Sequence, residues 1–226
     1  MNAVVNINEN EITDVISRQS SAAKDANVFT DIYREDTSIV VWQRDVSNEL
    51  NTAINHFLKN HSKKTAILAV TPESTSKVLC DTFGESNMMT ALSDDITLLV
   101  DMFCCLFDLE CAGLRLTVLD RAMCPRFHVD RIPCRLVTTY QGIATEWLNH
   151  NVIDRSKLGA GNEGKSDEES GLFKSVEDIN RLSEGDVALL KGENWDDTQG
   201  AGLVHRSPAV TTGECRLLLT LDFISD

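Results

Sequence analysis

The second half of the chain constrains the fold most. From Gly113 onward, apolar residues no longer recur at helical spacing. They gather instead into short runs at 114–119, 135–140, 186–190, 202–205 and 216–223, separated by turn-forming residues. Such runs, rich in Val, Leu, Thr and aromatic residues and bounded by Gly, Pro, Asn or Asp, read as strands. Strands in close succession must bury their apolar faces against one another, which predicts a sandwich or jelly roll.

The preceding stretch reads differently. Residues 38–42 form a strand-like run, and Asp45 or Ser47 can cap a helix whose Leu50, Ile54, Phe57 and Leu58 share one face. Residues 65–71 read as a second strand ended by Pro72. A helix near 73–83 follows. Another spans about 90–110, where Leu92, Ile96, Leu99, Met102, Phe103, Leu106 and Leu109 repeat at three- and four-residue steps. Residues 1–36 are polar and read as a loosely ordered N-terminal arm. The expected class is α+β. A single domain over 37–226 comprises a supporting α/β part (37–112) and a jelly-roll core, or double-stranded β-helix, over 113–226.

Composition narrows the partners. A net charge of −14 opposes attraction to phosphate backbones and anionic membranes, so neither nucleic acid nor a membrane is an expected partner. The apolar patches are interrupted well short of a membrane span. Seven cysteines form no regular framework, and the opening residues lack the cationic start and long apolar run of a secretory signal, so a cytoplasmic location is expected. Cys104 and Cys105 read as core fillers, and His56, His61 and His150 as solvent-facing.

The candidate chemistry centres on His128-Val-Asp130. Composition alone supplies about one His-x-acid pair, so the weight rests on what accompanies it. A strand sends alternate side chains to one face, aiming this imidazole and carboxylate together. His205 would complete the set from a distant segment. Two imidazoles and one carboxylate on one face of a metal leave the other positions open, as in non-haem iron(II) sites. Cys124 and Cys134 flank the pair, and their thiolates would favour zinc, the alternative metal. Residues 154–171, with four glycines and the charged run Lys165-Ser-Asp-Glu-Glu-Ser170, read as a surface loop and a candidate lid.

The ordered pieces are His128-Val-Asp130, Arg135-Leu-Val-Thr138-Thr-Tyr140, Gly142-Ile-Ala-Thr145-Glu-Trp147, Gly185-Asp-Val-Ala-Leu-Leu190, His205-Arg-Ser-Pro208, Gly213 and Arg216. In this order they resemble the prolyl-hydroxylase-type branch of iron(II)/2-oxoglutarate oxygenases. The phrases Phe-His-Val-Asp, Thr-Thr-Tyr-Gln-Gly, His-Arg-Ser-Pro and Arg-Leu-Leu-Leu-Thr-Leu-Asp-Phe are similar to a bacterial domain of unknown function (DUF 1826). The resemblance implies Fe(II) held by His128, Asp130 and His205, with 2-oxoglutarate as co-substrate. Arg216 would pair with its far carboxylate through the guanidinium fork, and Tyr140 and Thr138 would position that carboxylate. The substrate would be a small molecule or a protein side chain. The alternative is a non-catalytic zinc- or iron-binding jelly roll. Two departures stand out. The turn after Gly142 lacks the family's second glycine, and Arg216 lies eleven residues after His205 where relatives place the cation about ten after. A one-residue slip turns a strand side chain to the other face unless a loop or bulge absorbs it.

Overall fold

In the run Arg216-Leu-Leu-Leu-Thr-Leu-Asp222, Leu217, Leu219 and Leu221 are buried in one apolar cluster and Leu218 in another. A strand with both faces buried lies between layers. The computed structural model, which describes residues 17–61, 65–84, 86–195, 200 and 202–224, shows what those layers are. The strands are β1 (Gln19–Ala23), β2 (Thr37–Trp42), β3 (Thr65–Val70), β4 (Ala112–Leu119), β5 (Cys134–Gln141), β6 (Glu146–Leu148), β7 (Ile179–Arg181), β8 (Val187–Lys191), β9 (His205–Arg206) and β10 (Arg216–Asp222). A seven-stranded sheet runs β1-β2-β8-β5-β10-β4-β3, and a three-stranded sheet runs β7-β6-β9.

Helices α1 (Asn48–Asn60), α2 (Thr75–Phe83) and α3 (Thr90–Phe107) cover one face of the large sheet. Ser47 caps α1 by accepting the Leu50 amide at 3.1 Å, and Leu50, Ala53, Ile54, Phe57 and Leu58 fall on its buried side. They pack with α3 residues Leu92, Ile96, Leu99 and Phe103 against Leu114, Leu116, Leu136, Leu189 and the odd-numbered leucines of β10. The opposite face carries Ile39, Val41, Val137, Ala188, Leu190 and Leu218, which meet Trp147, Leu182 and Leu203 of the small-sheet layer. Full burial of each such side chain contributes about 1.5–3 kcal/mol, so the two sheets are held face to face mainly by this cluster.

Several expectations are corrected. Residues 17–36 are not loosely attached: β1 pairs in parallel with β2, and a 3-10 helix (Ala26–Tyr33) buries Val28, Phe29 and Ile32. Three apolar residues at helical spacing suffice to dock a segment that is otherwise polar. The rest of the expected arm, residues 1–16, lies outside the described residues. The strand expected at 202–205 is reduced to His205–Arg206, while β6 and β7, three residues each, were too short to leave a pattern. Cys104 is buried as a core filler, but Cys105 is exposed, and all seven cysteines are unpaired. His61 stacks on Phe57 at 4.6 Å between ring centres instead of facing solvent, and His150 is likewise half-buried. Among the described residues no helix is long and apolar enough to cross a membrane.

The 154–171 segment is two short 3-10 helices, Arg155–Lys157 and Gly159–Asn162, followed by turns rather than a free loop, and it leads into Leu172 and Phe173, which pack with Phe127, Leu148 and Val204 on the outside of the small sheet. Asp167, 4% exposed, anchors it. Its carboxylate accepts from the Phe127 amide (2.8 Å), Arg126 Nε (2.8 Å) and Arg206 Nη1 (3.3 Å). Asp167→Ala therefore leaves a buried amide without its acceptor and weakens the pairing of two arginines. Urea denaturation is expected to show a loss of about 2–4 kcal/mol. An unchanged midpoint would mean that the segment is merely laid against the surface.

Candidate metal centre

His128 and His205 sit directly opposite each other. Each amide donates to the other's carbonyl at 3.0 Å, forming an isolated antiparallel bridge beside the small sheet. Residues opposed in this way project side chains to the same face, and the two imidazole rings lie 4.6 Å apart. Asp130, two residues beyond His128, shares that face. Its Oδ1 is 3.5 Å from His128 Nε2 and its Oδ2 is 3.5 Å from His205 Nε2.

The outward nitrogens are already committed. His128 Nδ1 lies 2.9 Å from the Arg126 carbonyl, and His205 Nδ1 lies 3.1 Å from the Leu203 carbonyl. A carbonyl only accepts, so in each neutral ring Nδ1 carries the proton and the Nε2 lone pair is turned toward Asp130. That is the tautomer and orientation a metal requires of histidine. One ligand atom from each of the three residues falls within 4.8 Å of the others, the only such group among the described residues.

Asp130 is held as an anion. Burial opposes its ionisation, but His128, His205 and Arg135 together hold its carboxyl well below the usual carboxylate range. In the metal-free site the same carboxylate raises the His128 pKa against the effect of burial, because a doubly protonated ring can donate to it from Nε2, the position a cation would take. Arg135 Nη1 reaches Asp130 Oδ2 at 2.5 Å, while its Nε and Nη2 form a fork on Asp222 at 2.7 and 2.9 Å. Arg135 is thus fixed by β10 and in turn fixes the carboxylate. Two close contacts of the backbone hold the same turn. The Asp130 carbonyl accepts the Glu193 amide at 2.8 Å, and a Cβ at Gly192 would lie 1.9 Å from the Ile132 carbonyl oxygen.

Arg216 is the second feature. It is 1% exposed, and among the described residues no carboxylate accepts from it. Its guanidinium donates only to hydroxyls: Nη2 to Thr139 (3.0 Å) and Thr145 (2.8 Å), and Nη1 to Ser207 (2.8 Å). Hydroxyls satisfy its N–H groups but not its charge, and burial alone pushes its pKa down to about 10. It lines a cavity of about 70 Å³ together with His128, His205, Thr145, Ser207 and Cys124. The eleven-residue spacing from His205 does not misdirect it, because β9 and β10 belong to different sheets and the loop between them erases strand parity.

The structure does not bring Tyr140 or Thr138 to this cavity. Both lie on the helix side of β5. Tyr140, fully buried, donates to Asp95 Oδ2 of α3 at 2.6 Å, and Asp95 also receives a fork from Arg44 at 2.6 and 2.9 Å. Thr138 is also fully buried, and its hydroxyl has no partner. Strand parity places Arg135, Val137 and Thr139 on the cavity side instead, so Thr139 is the hydroxyl that meets Arg216. The cysteine-based zinc site also fails: Cys134 is buried in the helix-side core, Cys124 is exposed, and neither joins the His128, Asp130 and His205 group.

The same layered architecture occurs in solved structures. The chain is similar to a dioxygenase for auxin oxidation from rice, with a TM-score of 0.53 and 10% identity, over 92% of this chain and 83% of that one. HygX from Streptomyces hygroscopicus, solved with nickel and 2-oxoglutarate, matches at 0.47 and 13%, over 88% and 86%. A Pseudomonas putida prolyl-4-hydroxylase matches at 0.45 and 11%, over 88% and 98%. At this identity the rice enzyme speaks for the fold alone: α+β with a double-stranded β-helix core. The chain itself belongs to the protein family of unknown function DUF1826, whose model matches residues 23–222. No curated protein gives a match.

Tyr140→Phe separates the helix-side network from the metal centre. Removal of its hydroxyl should lower stability by about 1 kcal/mol while Arg44 still pairs with Asp95. Iron(II) affinity, measured by anaerobic titration, should be unchanged. A loss of metal affinity without loss of stability would contradict this assignment.

Proposed function

We propose that this chain is an iron(II)/2-oxoglutarate-dependent oxygenase, with iron held by His128, Asp130 and His205. The observation that carries the reading is Arg216, a buried cation with no acid partner among the described residues, in the cavity that His128 and His205 also line. A metal group alone would fit a storage or structural site. A metal group beside an uncompensated guanidinium fits a chelating ligand that also bears a distal carboxylate, and 2-oxoglutarate has both ends. The fold, shared with a dioxygenase for auxin oxidation, supports the same reading.

Iron(II), when bound, supplies open positions for 2-oxoglutarate and dioxygen, and the balanced reaction yields oxidised substrate, succinate and CO2. The protein's own residues would act as follows. Asp130 stays ionised at neutral pH and contributes the charge that an iron(II) site needs. The Arg126 and Leu203 carbonyls hold the Nδ1–H of each neutral ring and so aim both Nε2 atoms inward. Arg216 would take the distal carboxylate as a two-point ion pair. Thr139, Thr145 and Ser207 accept from Arg216, so their own O–H groups remain to donate to that carboxylate. Leu218 and Val137 supply the apolar wall that keeps the pair dry.

Anaerobic titration should give one iron(II) per chain, with affinity strongly weakened in His128→Ala and Asp130→Ala. Unchanged binding in both would remove the site. Addition of 2-oxoglutarate to the iron-loaded protein should then raise a visible charge-transfer band, and oxygen should yield slow succinate formation without added substrate. Arg216→Ala should weaken 2-oxoglutarate by roughly 2–4 kcal/mol with iron affinity nearly intact. Iron binding with neither band nor succinate would favour a non-catalytic metal-binding jelly roll.

A further inference from the structure

Five buried side-chain atoms among the described residues have no hydrogen-bond partner, and three of them are nitrogens of cationic or titratable residues: Arg18 Nε, Arg155 Nε and His150 Nδ1. Buried polar groups are normally satisfied, so three orphans of one kind call for a cause. They belong to one neighbourhood. Burial and the charges of Arg155 and Arg18 push the His150 pKa down, and burial also lowers that of Arg155, further depressed by Arg18.

Arg155 opens onto a cavity of about 560 Å³ lined also by His128, Val129, Arg131, Glu193 and Gly200. This is the size of a small-molecule pocket, and it shares His128 with the cavity of Arg216. Arg18, 8% exposed, backs its wall by donating from Nη1 to the Gly200 carbonyl at 3.1 Å. Arg155 is fixed by a hydrogen bond from Nη2 to the Gly202 carbonyl. The single acid in the lining, Glu193, forms a long ion pair with Arg155 (Oε2 to Nη1, 3.8 Å), and its other oxygen is engaged by the Gly200 amide at 2.8 Å, so one carboxylate faces three guanidinium groups. The side chain of Arg131 is exposed and has no hydrogen-bond or ion-pair partner among the described residues.

We infer that this cavity holds the substrate to be oxidised, and that the substrate carries a carboxylate or phosphate group bound by Arg155 and Arg131, with Arg18 behind them. The inference rests on the oxygenase reading for the word substrate, but not for the anion site itself. A ligand anchored by its anionic end at Arg155 has its remaining length beside His128, where the metal group begins. A neutral analogue would leave the excess positive charge of this wall without a counter-charge, and sites built around charged donors reject ligands lacking the partner strongly.

The test uses the full-length, metal-free chain, with inorganic phosphate and propionate titrated separately and followed by backbone amide shifts in two-dimensional NMR. Saturable shifts are expected at Gly159, Ala160, Gly200 and Gly202, and the tighter of the two probes names the anion class. Arg155→Gln and Arg18→Gln should each weaken this binding by roughly tenfold or more, while Arg216→Gln leaves it in place. Because Arg155 also braces Gly202, Arg131→Gln serves if the first variants fail to fold, and should weaken binding several-fold. Shifts confined to Thr145 and Ser207 and lost in Arg216→Gln would overturn the inference, as would the absence of saturable shifts. Failure of iron or 2-oxoglutarate to bind, with the phosphate site intact, would instead count against the oxygenase reading alone.

Discussion

Two backbone hydrogen bonds, exchanged between His128 and His205, are the constraint on which the site depends. They set two residues from distant segments in register, so that both imidazoles leave the same face and Asp130 follows by strand alternation. An isolated bridge is weak by itself, and its neighbours hold it. Asp167 accepts from the Phe127 amide and from Arg206, the residues next to the two histidines, and so ties both arms from outside. Gly192 lets the chain after β8 pass against the Ile132 carbonyl, which brings the Glu193 amide to the Asp130 carbonyl.

Charge is distributed with similar economy of position. The large sheet places acids and arginines in closed sets on its helix side, where Arg44, Asp95 and Tyr140 satisfy one another. On the side facing the small sheet the sets are left open. Arg135 is balanced by Asp130 and Asp222, yet Arg216 meets hydroxyls only. An uncompensated buried cation destabilises a fold unless an anion arrives, which is why the proposed function assigns Arg216 an anionic ligand.

Much of this was legible in the sequence. The strand runs after Gly113 and the helices around Leu50 and Leu92 stood out because their burial patterns are long and periodic. His128, Asp130, His205 and Arg216 stood out because their order is specific. What escaped notice has physical reasons. Thr138 and Thr139 are adjacent, and only the packing of β5 tells which one faces the cavity. Tyr140 has a hydroxyl, but parity sends it to Asp95. Thr145 and Ser207 lie inside the quoted phrases yet gain a role only from the position of Arg216. Arg18 and Arg155 are brought together by tertiary folding, with no local spacing to announce them. The docking of residues 26–33 rests on three apolar side chains, too few to outweigh a polar composition.

The most direct measurement is a crystal structure of the chain with nickel(II) and 2-oxoglutarate. The account predicts the metal on His128 Nε2, His205 Nε2 and an Asp130 carboxylate oxygen, with the distal carboxylate of 2-oxoglutarate on Arg216 between Thr139, Thr145 and Ser207. A metal bound elsewhere, or 2-oxoglutarate seated with its distal carboxylate on Arg155 and Arg216 still without an anion, would contradict it.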